Sequence, residues 1–450
     1  MIHSRALPAL TLAASAIESG LATARAATSG MPDSVRRSWY TGPIPSIADS
    51  GVEGATALKR GGSGSREVAT EMKRSRMAQT SAAAPPIIPM TRASFFIEDR
   101  LPAHRLWPTL AAMKVDFYFP PSPPEWAADA ATQAASLGYD GFFSAETQYD
   151  PFLPLAYAGQ AARGLELGTA IAVAFPRSPM VMAMTAWDLA RLSEGKFMLG
   201  LGTQVRGHIK RRFSTEWMTP GPRLKDYILS MRAIWDTWQN ATPLDYKGEF
   251  YQFSLMTPFF NPGPIPNPDI PVYIAGVGPY LSSLAGETCQ GFHVHPFHTT
   301  TYLDKVVLPN MRVGAESAGR TIDEVERVTT VFIMTGRNES EIEESKAAVR
   351  QQIAFYASTP SYRPVLEANG WDFGEKLTAL SKRGKWDEMP DHVPDEVLLE
   401  VGVAAQIDDL GAAVRDRYGD RVQRVGLYSL GSVLDIDPEA RRQVVDDLKG

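Results

Sequence analysis

Three groups of residues in this chain have types and spacings that chemistry can use. The densest histidine cluster is the run HVHPFH, with His293, His295 and His298. Imidazole changes charge near neutral pH and binds metals, so the run reads either as a set of proton donors or as half of a metal site. A catalytic metal needs a third protein ligand and carboxylates behind its ligands, and no acid-rich motif lies nearby. No metal is therefore expected, and His295 and His298 rank as hydrogen-bond or proton donors. Glu146 closes the run GFFSAE; it can act as a base if burial beside Phe142 or Phe143 raises its pKa, or accept a hydrogen bond from a bound molecule.

The second group is small and polar. Gly168-Thr169-Ala170 and Gly202-Thr203-Gln204 each follow an apolar run, leaving room for something flat to lie against the backbone. The third group can meet an anion. In Ala275-Gly276-Val277-Gly278-Pro279, glycines allow a tight turn and proline suits the first helical position, so free amides can cradle a phosphate. A plain strand-to-helix turn has the same pattern. Arg206, His208, Lys210, Arg211 and Arg212 suit an extended anion at a site mouth, or form a solvated positive face.

All these residues need elements to position them. The stretch LELGTAIAVAFPRSPMVMAMTAWDLARLSEGKFMLGLGTQ, residues 165–204, reads as strand, long apolar helix and strand, a right-handed parallel βαβ unit. Strands and helices alternate from Met113 onward. Further strands are expected at 114–119, 141–146, 271–277, 291–297, 327–336 and 424–430, with a hairpin at 243–254. Leu224, Ile228, Met231 and Trp235 mark an amphipathic helix, Thr321 to Glu324 a capping box, and Asp437-Pro438 the start of a last helix. Eight strand candidates alternating with helices predict a (β/α)8 TIM barrel with insertions. An open doubly wound sheet is the rival, but KVDFYF runs into PPSPP and not into a glycine-rich turn. In a barrel the carboxyl ends of the strands carry the chemistry, and the candidate residues lie there.

Composition narrows the partners. With 44% hydrophobic and 21% charged residues and a net charge of -6, nothing favours nucleic acid. Cys289 is the single cysteine, so a disulfide framework and a thiolate zinc site are excluded and a cytoplasmic setting is expected. No apolar run is long enough for a membrane helix. Residues 1–112, rich in Ala, Ser, Gly, Arg and Pro, show no lasting period and are expected to be a disordered extension, with 113–450 the barrel domain.

The blocks MKVDFYFP, SAETQYDPFLPL, LGTAIAVAFPRSP, FMLGLGTQVRGHIKRRF, YIAGVGP and IAFYASTPSYRPVLE together resemble the bacterial-luciferase-like superfamily, and within it the oxidoreductases that use the deazaflavin coenzyme F420. The resemblance spans residues 113–430. It implies a cofactor ring at the carboxyl mouth, against a bulge after the third strand whose cis peptide falls at Ala170-Ile171, beside Thr169. It implies cofactor contacts from Thr147, Thr169, Ala170, Ile171, Gly202, Thr203 and Gln204, the cofactor phosphate at Ala275, Gly276, Val277 and Gly278, and its acidic tail at Arg206 and the cations that follow. Thr147 stands where related sugar-phosphate dehydrogenases carry a histidine, which argues against that substrate.

The expected activity is hydride transfer between F420 and an apolar or carbonyl-bearing small molecule. An FMN-dependent monooxygenase is the alternative; a cofactor-binding protein without catalysis and a metal-dependent hydrolase are further rivals. Phe175, Trp217, Phe259, Phe260, Phe297 and Tyr356 are expected to line an apolar chamber. Residues 357–394 are expected to cover the barrel, as a lid or as a contact in a homodimer.

Overall fold

The computed structural model describes residues 113–435 and 437–450; the disorder expected for 1–112 lies outside them. Twelve strands occur among the described residues: β1 Lys114–Phe119, β2 Gly141–Ser144, β3 Glu166–Thr169, β4 Ala172–Val173, β5 Phe197–Gly202, β6 Tyr246–Lys247, β7 Gln252–Phe253, β8 Val272–Gly276, β9 Gly291–Val294, β10 Glu326–Gly336, β11 Gly402–Gln406 and β12 Arg424–Ser429. The principal helices are α1 Ala127–Ser136, α2 Leu153–Ala161, α3 Pro179–Leu192, α4 Arg206–Arg211, α5 Pro220–Asn240, α6 Pro279–Thr288, α7 Leu308–Ser317, α8 Glu339–Ala357, α9 Arg363–Ala368, α10 Gly374–Lys382, α11 Asp395–Val401, α12 Ile407–Tyr418 and α13 Pro438–Lys449.

Sequence signals set the helix ends. Ser178 caps α3 by accepting the Val181 N–H, and Asp437 caps α13 by accepting from Glu439 and Ala440. The face of α5 that buries Leu224, Ile228, Met231 and Trp235 is the one their spacing predicts. The main strands pair in parallel, and because β12 bonds both β1 and β10 the sheet closes: β1, β2, β3 with β4, β5, β8, β9, β10, β12 and back to β1. This is the expected (β/α)8 barrel. β6 and β7 form the separate antiparallel hairpin.

Two apolar layers follow from the closure. Outward side chains pack under the helices, while Phe143, Met198, Tyr273 and Val328 form a second cluster inside, with Tyr118 and Ala170 against it. Below that cluster, at the amino ends of the strands, the filling is ionic. Arg424 is 0% exposed and grips Asp116 with Nε and Nη2 at 2.8 and 2.5 Å. Its Nη1 also donates to Glu166, with Glu326 at 3.7 Å. Lys114 reaches Glu166 at 2.8 Å, and the Tyr273 hydroxyl donates to Glu326 at 2.5 Å.

Above the interior cluster one side of the barrel stays aromatic. Side chains two apart on a strand share a face, so Phe332 and Tyr428, paired in register like Val328 and Arg424, also point inward. β10 continues past its pairing with β9, and its last residues bond β11, a strand that the sequence pattern did not reveal. Residues 337–401 between them fold mostly into helices α8 to α11. No helix among the described residues is long and apolar enough to cross a membrane.

Candidate active site at the carboxyl rim

The rim is shaped by a bulge. β3 pairs Gly168 with Met198, whereas β4 pairs Ala172 with Leu201, so Thr169, Ala170 and Ile171 face only Leu199 and Gly200. The Ala170–Ile171 peptide inside it is cis, at the position the resemblance implied. Thr169 takes a different role from the one expected. It is 0% exposed, and its hydroxyl donates to the Gly200 carbonyl at 2.7 Å while accepting the Gly200 N–H at 2.9 Å. The side chain thus stands in for ladder bonds that the extra residue displaces, leaving no free hydroxyl for a ligand. Thr169→Val keeps the shape but strands both Gly200 groups, so it is expected to lower stability by about 1–3 kcal/mol, whereas Thr169→Ser stays near wild type; urea midpoints decide.

Glu146 also belongs to the bulge. Its Oε2 accepts the Val173 N–H and an Arg177 Nη1–H, both at 2.7 Å, and Arg177 continues to Asp150 at 2.8 Å. A guanidinium and an amide already hold that oxygen, so Glu146 braces the bulge through Oε2, which weighs against the expected role as a base. Thr147 is exposed beyond it and offers its carbonyl to Arg212.

Along β2, β3, β5 and β8 the inward rim residues are small: Ala145, Ala170, Gly202 and Ala275. Ala145, Ala170, Ile171, Ala275, Gly276, Val277 and Gly278 are half-buried where the strands leave the closed interior. Ile171 already fills the space over Gly202, since a Cβ there would come within 2.6 Å of its Cδ1. Thr203 and Gln204 follow half-buried, and Gln204 adopts φ 54, an uncommon backbone for a non-glycine residue. Arg206, Lys210 and Arg211 are exposed on α4.

The two glycines before α6 are unequal. A Cβ on Gly276 would sit 2.5 Å from Leu281 Cβ, so this glycine serves close strand–helix packing; around Gly278, the N-cap, nothing lies within 4 Å. Gly278 therefore leaves the amide end of α6 approachable. The Val277 carbonyl is taken by the Tyr302 hydroxyl at 2.5 Å.

Opposite, β9, β10 and β12 present aromatic rings. Phe332 and Tyr428 stack at 4.8 Å, and Tyr356 lies 6.3 Å from Phe332. His295 meets Tyr356 at 4.8 Å and Tyr362 at 4.4 Å, ring centre to ring centre. Tyr362, from the turn after α8, had no signal in the sequence beyond its place in a matching block; the fold brings it to a histidine 67 positions away.

The three histidines separate. His293 is buried inside the barrel against Phe143 and Tyr273, with Nε2 lacking a partner. His298 is buried in the wall: Nδ1 lies 2.8 Å from the His295 carbonyl and the ring packs on Tyr418 of α12. That placement corrects its expected role as a donor at the mouth. Burial depresses all three pKa values, to about 3 for His293 and His295 and about 4 for His298, so each ring is neutral at pH 7. Among the described residues no group of three or more His, Cys, Asp or Glu is arranged to hold a metal. Phe175 and Phe297 are buried in the packing; Phe259 and Phe260, 89% and 68% exposed, stand in solvent and line no chamber.

Fold and rim define a (β/α)8-barrel protein whose candidate site lies at the carboxyl ends of its strands. The chain belongs to the luciferase-like monooxygenase family, whose model matches residues 104–424. It is 43% identical over 300 residues to an uncharacterised protein of Mycobacterium tuberculosis, covering 66% of this chain and 88% of that one. It is 28% identical over 180 residues to the F420-dependent glucose-6-phosphate dehydrogenase of Rhodococcus hoagii, covering 39% and 51%. Among solved structures, the coenzyme F420-dependent tetrahydromethanopterin reductase of Methanopyrus kandleri superposes with a TM-score of 0.61 at 18% identity, over 75% of this chain and 97% of that one.

Proposed function

We propose that this protein is an oxidoreductase that binds the deazaflavin coenzyme F420 at the carboxyl rim and acts on an uncharged, carbonyl-bearing or apolar small molecule. The observation that carries the reading is the division of the rim: small inward residues on β2, β3, β5 and β8 facing a neutral aromatic wall on β9, β10 and β12. Such a division suits a flat ring on one side and an uncharged substrate on the other. Thr203, Gln204 and the bulge at Ala170 and Ile171 would hold the ring, with Ile171 lying over Gly202. The amide end of α6 at Gly278 would meet the phosphate, and Arg206, Lys210 and Arg211 the acidic tail. When bound, the coenzyme supplies a carbon centre that gives or accepts hydride; the residues around it bind, orient and exclude water.

Two features of this chain speak against a sugar phosphate. Thr147 cannot move a proton near neutral pH, and the half-buried wall of His295, Tyr356, Tyr362 and Tyr428 includes no cation to offset the desolvation of a phosphate. An FMN monooxygenase is the runner-up, in keeping with the family description. Fluorescence titration with F420 and FMN side by side separates the two, with tight binding expected for F420 alone. Gly278→Asp sharpens the test. An aspartate there has open space and is a favoured helix cap, so stability should hold or rise, yet its charge opposes a phosphate. F420 affinity is expected to fall at least about tenfold, roughly 1.4 kcal/mol; unchanged affinity would remove the phosphate from this helix. Gly276→Asp is no substitute, because it collides with Leu281.

A further inference from the structure

His295 and Tyr362 form a bond whose direction can be deduced. The Tyr362 hydroxyl lies 3.0 Å from His295 Nε2, and the Phe297 N–H donates to His295 Nδ1 at 3.1 Å. A ring nitrogen that accepts a hydrogen bond carries no proton, so the neutral imidazole holds its proton on Nε2 and donates it to the phenol oxygen. The opposite polarity would set an Nδ1–H against the Phe297 N–H. Burial and the neighbouring His298 keep the ring neutral. Tyr362 therefore receives a hydrogen bond from His295 and retains its own proton, for which the described residues offer no acceptor. Burial raises the phenol pKa above its usual value, so the group stays a donor across physiological pH.

The surroundings select the acceptor. Tyr356 lies 5.7 Å from Tyr362 and Phe297 6.0 Å, ring to ring, and Phe332 and Tyr428 continue the wall. Arg363, the adjacent cation, turns away to Thr378 and Glu375. A carboxylate or phosphate brought here would lose its hydration with no cation in return. An uncharged carbonyl oxygen loses little and gains one well-placed donor.

We propose that Tyr362 is the hydrogen-bond donor to the carbonyl oxygen of an uncharged ketone or aldehyde substrate, and that His295 is the positioning residue that fixes the phenol oxygen and leaves its proton available. This deepens the oxidoreductase reading and rests on the rim being the substrate site.

The test needs no coenzyme. Cyclohexanone labelled with 13C at the carbonyl is added to the protein and its C=O stretch recorded by infrared difference, with affinity taken from the same titration. Wild type is expected to shift the stretch to lower frequency. Tyr362→Phe should abolish that shift and weaken binding about tenfold, with thermal melting confirming the fold. His295→Gln, whose amide N–H can replace Nε2–H, should retain most of the shift, and His295→Leu should lose it. Histidine 15N spectra should show the Nε2–H tautomer of His295 from pH 5 to 8.

An Nδ1–H tautomer, a Tyr362→Phe protein equal to wild type, or a wild type that leaves the ketone spectrum unshifted would each overturn the inference. F420 titration of the same proteins separates the two readings: intact F420 binding with a failed ketone result overturns this inference alone, and the reverse overturns the coenzyme assignment alone.

Discussion

Arg424→Met is expected to lower the free energy of unfolding by about 3–5 kcal/mol, a large part of the 5–15 kcal/mol typical of a folded domain. The reason is the ionic floor of the barrel. Asp116, Glu166 and Glu326 converge on one guanidinium that is itself wholly buried. Even with that cation present, burial pushes the Asp116 pKa up to about 6. Without it, Asp116 and Glu326, nearly inaccessible to water, would lose the cation they share, while Lys114 reaches Glu166 and not them. Methionine restores much of the volume but none of the charge. Adding Asp116→Asn to Arg424→Met should recover at least about 1 kcal/mol, because the stranded carboxylate is gone, so the two changes should be clearly non-additive. Urea unfolding of the four proteins in the cycle measures this; an Arg424→Met midpoint equal to wild type would mean that the network contributes nothing.

The same residues show where sequence reading stops. Two of the barrel strands announce themselves locally: KVDFYF and RVTTVFIMTG are β-branched or aromatic runs that end at a breaker, and each forms a strand. β11 is GVAAQ, whose single β-branched residue gives no such signal, and it pairs because β10 extends past β9. Arg424 opens its strand like any flanking charge, and its main partner Asp116 is 308 positions away. The candidate site divides likewise. Small residues at strand ends mark the rim, but the engagement of Thr169 with Gly200, the brace at Glu146 and the displacement of His298 into the wall all depend on distant backbone. Tyr362 is the clearest case. Its chemistry comes from the orientation of one imidazole, which no local pattern encodes.

Acidification should destabilise the protein well before carboxylates are generally protonated. His293, His295 and His298 have folded-state pKa values of about 3, 3 and 4, against 6.5 in the unfolded chain. Near pH 5 the unfolded state carries protons on all three and the folded state on almost none. Asp116 acts in the opposite sense, since its raised value lets the folded state hold a proton that the unfolded chain releases above 3.8. The unfolded state thus binds about two more protons, and stability rises with pH through this window. At about 1.4 kcal/mol per proton per pH unit, the slope is about 3 kcal/mol per unit, greatest near pH 5 and fading above 6.5. Glu166, whose desolvation is outweighed by Arg424 and Lys114, lies below its ordinary 4.5 and adds a further loss only at lower pH. Urea midpoints at pH 7.5, 6 and 5 give the slope. His298→Gln, which removes one titrating ring, should flatten it by about 1.4 kcal/mol per unit. A profile that stays flat from pH 7 to 5 would mean that these rings take up protons in the folded barrel, and the Nε2–H assignment of His295 would then fail in acid.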